Sequence, residues 1–195
     1  MAATPSAMVP LGTPLPDFSL PDTNGRMVGP ADFKDKPALL VMFICNHCPF
    51  VKHLREGIAS FARDMQPRGL GIIAINSNDA AKYPEDSPEN MRREVAAAGY
   101  SFPYLFDETQ QVAKSFRAAC TPDFFLYDRD RKLFYRGQFD DSRPSKYVDG
   151  RIVPVTGKDL RAAVEAVLAG KPPPQPQTPS LGCNIKWKPG NEPQW

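Results

Sequence analysis

Between Pro37 and Cys45 stand seven consecutive apolar residues, Ala38-Leu39-Leu40-Val41-Met42-Phe43-Ile44. A run of that kind without alternation predicts a central strand covered on both faces. The period then changes. Phe50, Leu54, Ile58, Phe61 and Met65 recur at helical spacing with charges between them, until Pro67 and Gly69 stop the helix. Leu70 to Asn76 reads as a second buried strand. Together the three elements predict a strand–helix–strand unit with parallel strands and a right-handed crossover.

Ahead of this unit, Pro16-Asp17-Phe18-Ser19-Leu20 alternates apolar with polar and runs into the turn Asp22-Thr23-Asn24-Gly25. With Met27 and Val28 following, it predicts a short N-terminal hairpin. After it comes a polar loop, Asn78 to Asp86, then a helix with Ser87 as cap and Pro88 at its first position. Phe102 to Phe106 reads as a short edge strand, and Asp107 with Gln110 suggests a capping box for a helix through Phe116. Phe124–Tyr127 and Leu133–Arg136 flank a turn at 128–131. Thr156 is placed to cap a last helix with Leu160, Val164 and Leu168 inward, ending at Gly170. This order gives an α/β or α+β sandwich around one sheet.

Length and composition refine the picture. A chain of 195 residues allows one sizeable core. The formal net charge of +2, with no basic run, points neither to nucleic acid nor to an anionic membrane surface. The eight residues Ala38 to Cys45 are the longest apolar run, far short of the ~20 needed to span a bilayer. Met1 to Leu11 lacks the basic start and apolar core of a secretion signal, so the expected compartment is the cytoplasm. Proline is abundant, 22 in all, with seven in residues 1–37 and seven in residues 172–193. The expected organisation is an extended arm over 1–11, a folded body over 12–170 and a Pro-rich tail over 171–195.

In a reducing compartment, four cysteines suggest catalysis or metal binding rather than a disulfide scaffold. Cys45-Asn46-His47-Cys48 lies where the buried strand meets the helix start. Unpaired amides and the positive helix end favour a thiolate there. Cys45 is then the expected exposed nucleophile and Cys48 the resolving thiol, with His47 holding the thiolate by charge or hydrogen bond. A Cys-x-x-Cys pair alone also fits a metal half-site. No second paired spacing is present to complete four ligands, and the strand–helix placement favours redox chemistry. His53, on the following helix, reads as solvent-facing or packed.

Ala38 to Cys48, with Thr121-Pro122 ahead of Phe124–Tyr127, resembles the thioredoxin superfamily. Gly12-x-x-x-Pro16-Asp17-Phe18-x-Leu20 and Asp22-x-x-Gly25 are similar to the N-terminal signature of its peroxiredoxin-like branch, that of alkyl hydroperoxide reductase and thiol-specific antioxidant proteins. Phe43 to Val51, Cys120 to Leu126 and the tail Ser180-x-Gly182-Cys183-x-Ile185-Lys186-Trp187 resemble one cytoplasmic bacterial subgroup of that branch. The resemblance implies an α/β thioredoxin-like fold, with a central mixed sheet flanked by helices, an N-terminal β-hairpin and a Pro-rich C-terminal tail. It also implies a cis Pro122 facing Cys45, leaving the Thr121 backbone free to pair with an extended substrate peptide. The bare sequence reads Thr121-Pro122 equally well as an ordinary turn. The same loop brings Cys120 near the pair, either as a further thiol or as a small buried residue. Cys183 lies in a flexible tail; it could serve as a second resolving thiol if that tail folds back, but is expected to be structural or idle.

Two departures matter. Peroxidatic centres of this branch carry a threonine three residues before the reactive cysteine, where this chain has Met42. Thioredoxins carry a tryptophan before the first cysteine and a buried acid in the preceding strand. Here Ile44 precedes Cys45, and no acid lies between Ala38 and Ile44. Asp123 or water is left to accept the Cys48 proton. The expected function is thiol–disulfide oxidoreduction through a Cys45–Cys48 redox disulfide, without an organic cofactor. Dithiol proteins or glutathione are the expected redox partners, and a homodimer is compatible with the branch. The alternatives are a thiol peroxidase with Cys45 peroxidatic, a Cu or Zn carrier using Cys45, Cys48 and His47 or His53, and an interaction module with Pro172–Pro179 as a docking arm.

Overall fold

The apolar run forms strand β4 (Ala38–Phe43), buried along its whole length. Its alternate side chains feed two cores. Leu40, Met42 and the following Ile44 pack with Phe50, Leu54 and Ile58, while Leu39, Val41 and Phe43 pack with Phe116 and Phe125. A strand walled on both faces has no position for a polar side chain, which is why its sequence does not alternate. The structure, a computed structural model, describes residues 3–147 and 152–194.

Helix α1 (Pro49–Met65) follows, with Cys48 as its extended N-cap and Pro49 at its first position. It ends through a 3-10 turn at Gly69, whose φ of 106° is open to glycine. Strand β5 (Leu70–Asn76) then pairs parallel with β4. Helix α2 (Pro88–Ala98) is capped by Ser87, whose hydroxyl accepts the Asn90 amide at 3.3 Å. Strand β6 (Tyr104–Phe106) pairs parallel with β5. Strands β8 (Asp123–Tyr127) and β9 (Leu133–Gly137) complete the sheet in the antiparallel sense, giving the order β6-β5-β4-β8-β9. The expected hairpin is present as β2 (Leu20–Pro21) and β3 (Met27–Val28), its turn held by the Asp22 carboxylate accepting the Asn24 and Arg26 amides.

Two helix starts differ from expectation. Gln110 and Asp107 make no reciprocal box. Gln110 caps α3 (Gln111–Phe116) from a left-handed conformation, and its side chain donates to the carbonyls of Ser77 and Lys186. Asp107 instead accepts the Ala113 amide at 2.9 Å. For α4 (Lys158–Leu168) the cap is Gly157 rather than Thr156, because Asp140 captures the amides of both residues at 2.6 and 2.7 Å. In each case a partner distant in sequence outcompetes the local motif.

The two chain ends meet. Strand β1 (Ala3–Pro5) pairs antiparallel with β10 (Leu181–Asn184), and β10 pairs with β7 (Cys120–Thr121), making a second sheet of three strands. No helix among the described residues is long and apolar enough to cross a membrane.

Phe43 is fully buried and meets Phe116 and Phe125 edge-to-face, with ring centroids 5.3 and 5.9 Å away. Phe43→Ala should cost roughly 3–5 kcal/mol by deleting that aromatic centre, read as a lowered midpoint in urea unfolding.

Candidate active site

The pairing of β4 with β8 sets Phe43 opposite Asp123, so β8 begins where β4 ends. Two residues beyond Phe43 comes Cys45, and just ahead of Asp123 comes the cis peptide Thr121–Pro122. Thr121 therefore faces both sulfurs. Its hydroxyl lies 3.2 Å from Cys45 Sγ, and its carbonyl accepts from Cys48 Sγ at 3.1 Å. All four cysteines are free thiols.

Cys45 is not the exposed nucleophile that the sequence suggests: it is only 2% exposed, and Cys48 is wholly buried. Burial pushes the Cys45 thiol up, and the neighbouring Cys48 and the charge of Asp86 push the same way. Cys48 goes down. The thiol of Cys183 contributes most, the thiol of Cys45 next, and the Val51 amide in the first turn of α1 also helps. The helix end thus favours an anion on Cys48 rather than on Cys45, because the helix starts at Pro49 and makes Cys48 its cap. In the neutral form Cys48 gives its proton to the Thr121 carbonyl. Without that proton its sulfur faces two thiol donors.

The group that arranges this corner was invisible in the sequence. Asp86, at the end of the polar loop after β5, is fully buried. Its carboxylate accepts the Asn46 amide at 2.7 Å, His47 Nδ1 at 2.6 Å and Asn78 Nδ2 at 2.7 Å. Burial pushes Asp86 up, but the hydrogen bonds from His47, Asn78 and Asn46 outweigh it and hold the carboxyl below its ordinary value. The same bond raises His47, with burial opposing and the charge of Cys48 assisting. The His47 ring is stacked on that of Tyr83, with centroids 5.4 Å apart. Tyr104 completes the corner, its hydroxyl donating to Asn46 Oδ1 at 3.1 Å.

The remaining site residues divide. Cys120 is buried, donates to the Pro122 carbonyl at 3.5 Å, and is held protonated by burial and by the nearby charges of Asp123 and Cys48. Asp123 is fully buried, and burial lifts its carboxyl to about 8, so at neutral pH it is largely protonated. His53 is half-buried on α1 and its ring is pushed down by burial. The Thr121 backbone, expected to be free for a substrate peptide, is taken by the chain's own tail, where Cys183 is its partner across β10 and β7. That correction has a steric signature. A Cβ on Gly182 would stand 2.1 Å from the Thr121 carbonyl oxygen, so only glycine lets the tail lie there.

Cys45, His47 and Asp86 also offer one sulfur, one nitrogen and one oxygen within 4.8 Å of each other. Such a donor set suits zinc. Here, though, His47 and Asp86 already satisfy one another.

A family model described as AhpC/TSA family matches residues 11–136. The chain belongs to the AhpC/TSA family. Among curated relatives, Peroxiredoxin Bcp of Escherichia coli K12 is 25% identical over 69% of this chain and 87% of its own. The thiol-disulfide oxidoreductase ResA of Bacillus subtilis is 25% identical over 63% of this chain and 64% of its own. Among solved structures, a hypothetical protein of Sinorhizobium meliloti 1021 is 57% identical, covers 96% of this chain and 100% of its own, and superposes with a TM-score of 0.92. A DsbE-like thiol:disulfide interchange protein of Chlorobium tepidum, 20% identical over 82% of this chain and 98% of its own, shares the fold with a TM-score of 0.59. In this AhpC/TSA chain Met42 is buried against α1, so no hydroxyl reaches Cys45 from that strand. The hydroxyl beside Cys45 comes from Thr121 instead.

Two titrations follow from these environments. The His47–Asp86 pair stabilises the fold fully below His47's ordinary value of 6.5, provided Asp86 is ionised. It fades as pH rises through the raised His47 value, and on the acid side as pH falls through the lowered Asp86 value. Asp86→Asn should bring the His47 titration, followed by NMR, down in pH, and should cost roughly 3–5 kcal/mol at about pH 6. Asp123 works with the same sign as His47 and the opposite sign to Asp86. The folded chain keeps its proton up to about 8, whereas the unfolded one releases it near 3.8. Stability should therefore fall across that window by up to about 1.4 kcal/mol per pH unit. Urea titrations of Asp123→Asn should lack that loss.

Proposed function

We propose that the chain is a thiol–disulfide oxidoreductase working through Cys45 and Cys48. The observation that carries this reading is the placement of both sulfurs at the start of α1 against one residue, Thr121, whose hydroxyl lies 3.2 Å from Cys45 Sγ and whose carbonyl accepts from Cys48 Sγ at 3.1 Å. Family membership supports thiol redox chemistry in general. In the forward step a Cys45 thiolate attacks one sulfur of a substrate disulfide and releases the other as a thiolate. Cys48 then attacks the Cys45 sulfur, releases the second substrate thiol and leaves the Cys45–Cys48 disulfide. The Thr121 hydroxyl donates to the Cys45 sulfur as charge develops there, and imidazolium His47 favours negative charge on Cys48. A dithiol protein or two glutathione molecules return the two electrons.

Stabilising thiolate in the reduced pair favours the dithiol and makes the disulfide more oxidising. The potential should lie above the reducing end of the range of about −270 to −120 mV covered by thiol oxidoreductases. A second reading, thiol peroxidase, is favoured by the Thr121 hydroxyl at Cys45, where Met42 supplies none. There peroxide would oxidise Cys45 to a sulfenic acid, and Cys48 would condense with it, releasing water.

Equilibration in glutathione buffers, with mass-tagging of free thiols, separates the readings. A reversible two-electron transition in that range, mapped to a Cys45–Cys48 disulfide, is the expected result; Cys48→Ser should abolish the transition, and Cys45→Ser should abolish that disulfide. No Cys45–Cys48 disulfide at any poise sinks the proposal, and second-order consumption of peroxide by the reduced chain moves the assignment to the peroxidase.

A further inference from the structure

The tail strand stands where an extended peptide substrate was expected. Its residue Cys183 pairs with Thr121 in antiparallel register, and Gly182 lies directly over the Thr121 carbonyl. The Cys183 sulfur is buried in the same core cluster as Cys45 and Cys48 and hydrogen-bonds Cys48. The strand is fixed from both sides. Ser6 donates to the Ser180 carbonyl at 2.9 Å, and beyond β10 the Lys186 amide and carbonyl are held by Asn78 at 2.8 Å and Gln110 at 2.9 Å. A peptide segment laid across Thr121 with its sulfur against a Cys-x-x-Cys pair has the arrangement of a bound thiol substrate.

We infer that Cys183 is a third redox thiol of the site, an intramolecular substrate that exchanges with the Cys45–Cys48 disulfide. The inference rests on the redox pair proposed above. The Cys183 thiolate attacks Cys48 Sγ, the Cys48–Cys183 bond forms as the Cys45–Cys48 bond breaks, and Cys45 leaves as a thiolate that takes the proton given up by Cys183. One disulfide becomes another with no net oxidation, so no further oxidant or reductant is required. Cys120 is not assigned this role: its partner across β7 and β10 is Asn184, and its thiol donates to the Pro122 carbonyl at 3.5 Å. The exchange moves the oxidising equivalent into the core, ties the tail to the start of α1, and returns Cys45 to the thiol state.

The test uses the full chain and its Cys45→Ser variant. Each is oxidised in glutathione buffers, alkylated, digested without reduction and mapped by mass spectrometry. The expected result is that Cys45→Ser yields a Cys48–Cys183 cross-linked peptide as its main oxidised form, and that the unsubstituted chain shows the same cross-link beside Cys45–Cys48. The inference is overturned if Cys45→Ser gathers only glutathione on Cys48, with Cys183 fully alkylated, and the unsubstituted chain shows Cys45–Cys48 alone. That outcome leaves the redox pair standing. Absence of Cys45–Cys48 from the unsubstituted chain refutes the pair itself, and the exchange with it.

Discussion

The corner of the molecule that carries the chemistry depends on one buried carboxylate. Asp86 has no access to water, and a charge in that position persists only if its lone pairs are met by donors. Three donors meet it, from Asn46, His47 and Asn78. Two of them belong to the short segment between β4 and α1, so satisfying Asp86 also fixes the path from Cys45 to Cys48. The third, Asn78, passes the constraint on, since its side-chain oxygen accepts the Lys186 amide. Loop, redox motif and tail thus share a single hydrogen-bond network centred on Asp86, and a carboxylate met by three donors in a low-dielectric site is held stiffly, even with His47 Nε2 left unpartnered.

That stiffness bears on how three thiols share protons. A sulfur buried among apolar groups resists ionisation, as Cys45 and Cys120 show. Cys48 escapes the rule because other groups supply donors: two neighbouring thiols, a first-turn amide, and the backbone of Cys183. Acidity at this site is therefore a property of the assembly. A Cys-x-x-Cys sequence permits it, and the positions of β10 and the Asp86 loop create it.

The Pro-rich ends acquire a purpose in the same way. Neither terminal strand has the length to stand alone, but β1, β10 and β7 close a small sheet whose inner partner is the residue ahead of Pro122. Glycine at position 182 permits the approach, and the two ends of the chain are joined over the reactive sulfurs rather than trailing from the body.

Much of this was legible beforehand. The unbroken run of β4, the helical spacing of α1, the hairpin turn at Asp22 and the Ser87 cap are local patterns, and local patterns follow from periodicity and side-chain chemistry alone. The redox motif and its place between strand and helix were legible for the same reason. So was the tail motif, though its sequence carried no sign that Cys183 touches Cys48. What only the tertiary structure decided depends on contacts between distant segments. Asp86 lies 39 and 40 residues from the groups it binds in the motif, and nothing marks it among the other polar residues of its loop. Gln110 and Thr156 were misjudged because nonlocal partners won over nearby ones. The exposure of Cys45 was misjudged because Thr121, 76 residues further along the chain, packs its hydroxyl against that sulfur. Sequence patterns record which faces must be buried; which polar group pairs with which across the fold is fixed only when those faces have been packed together.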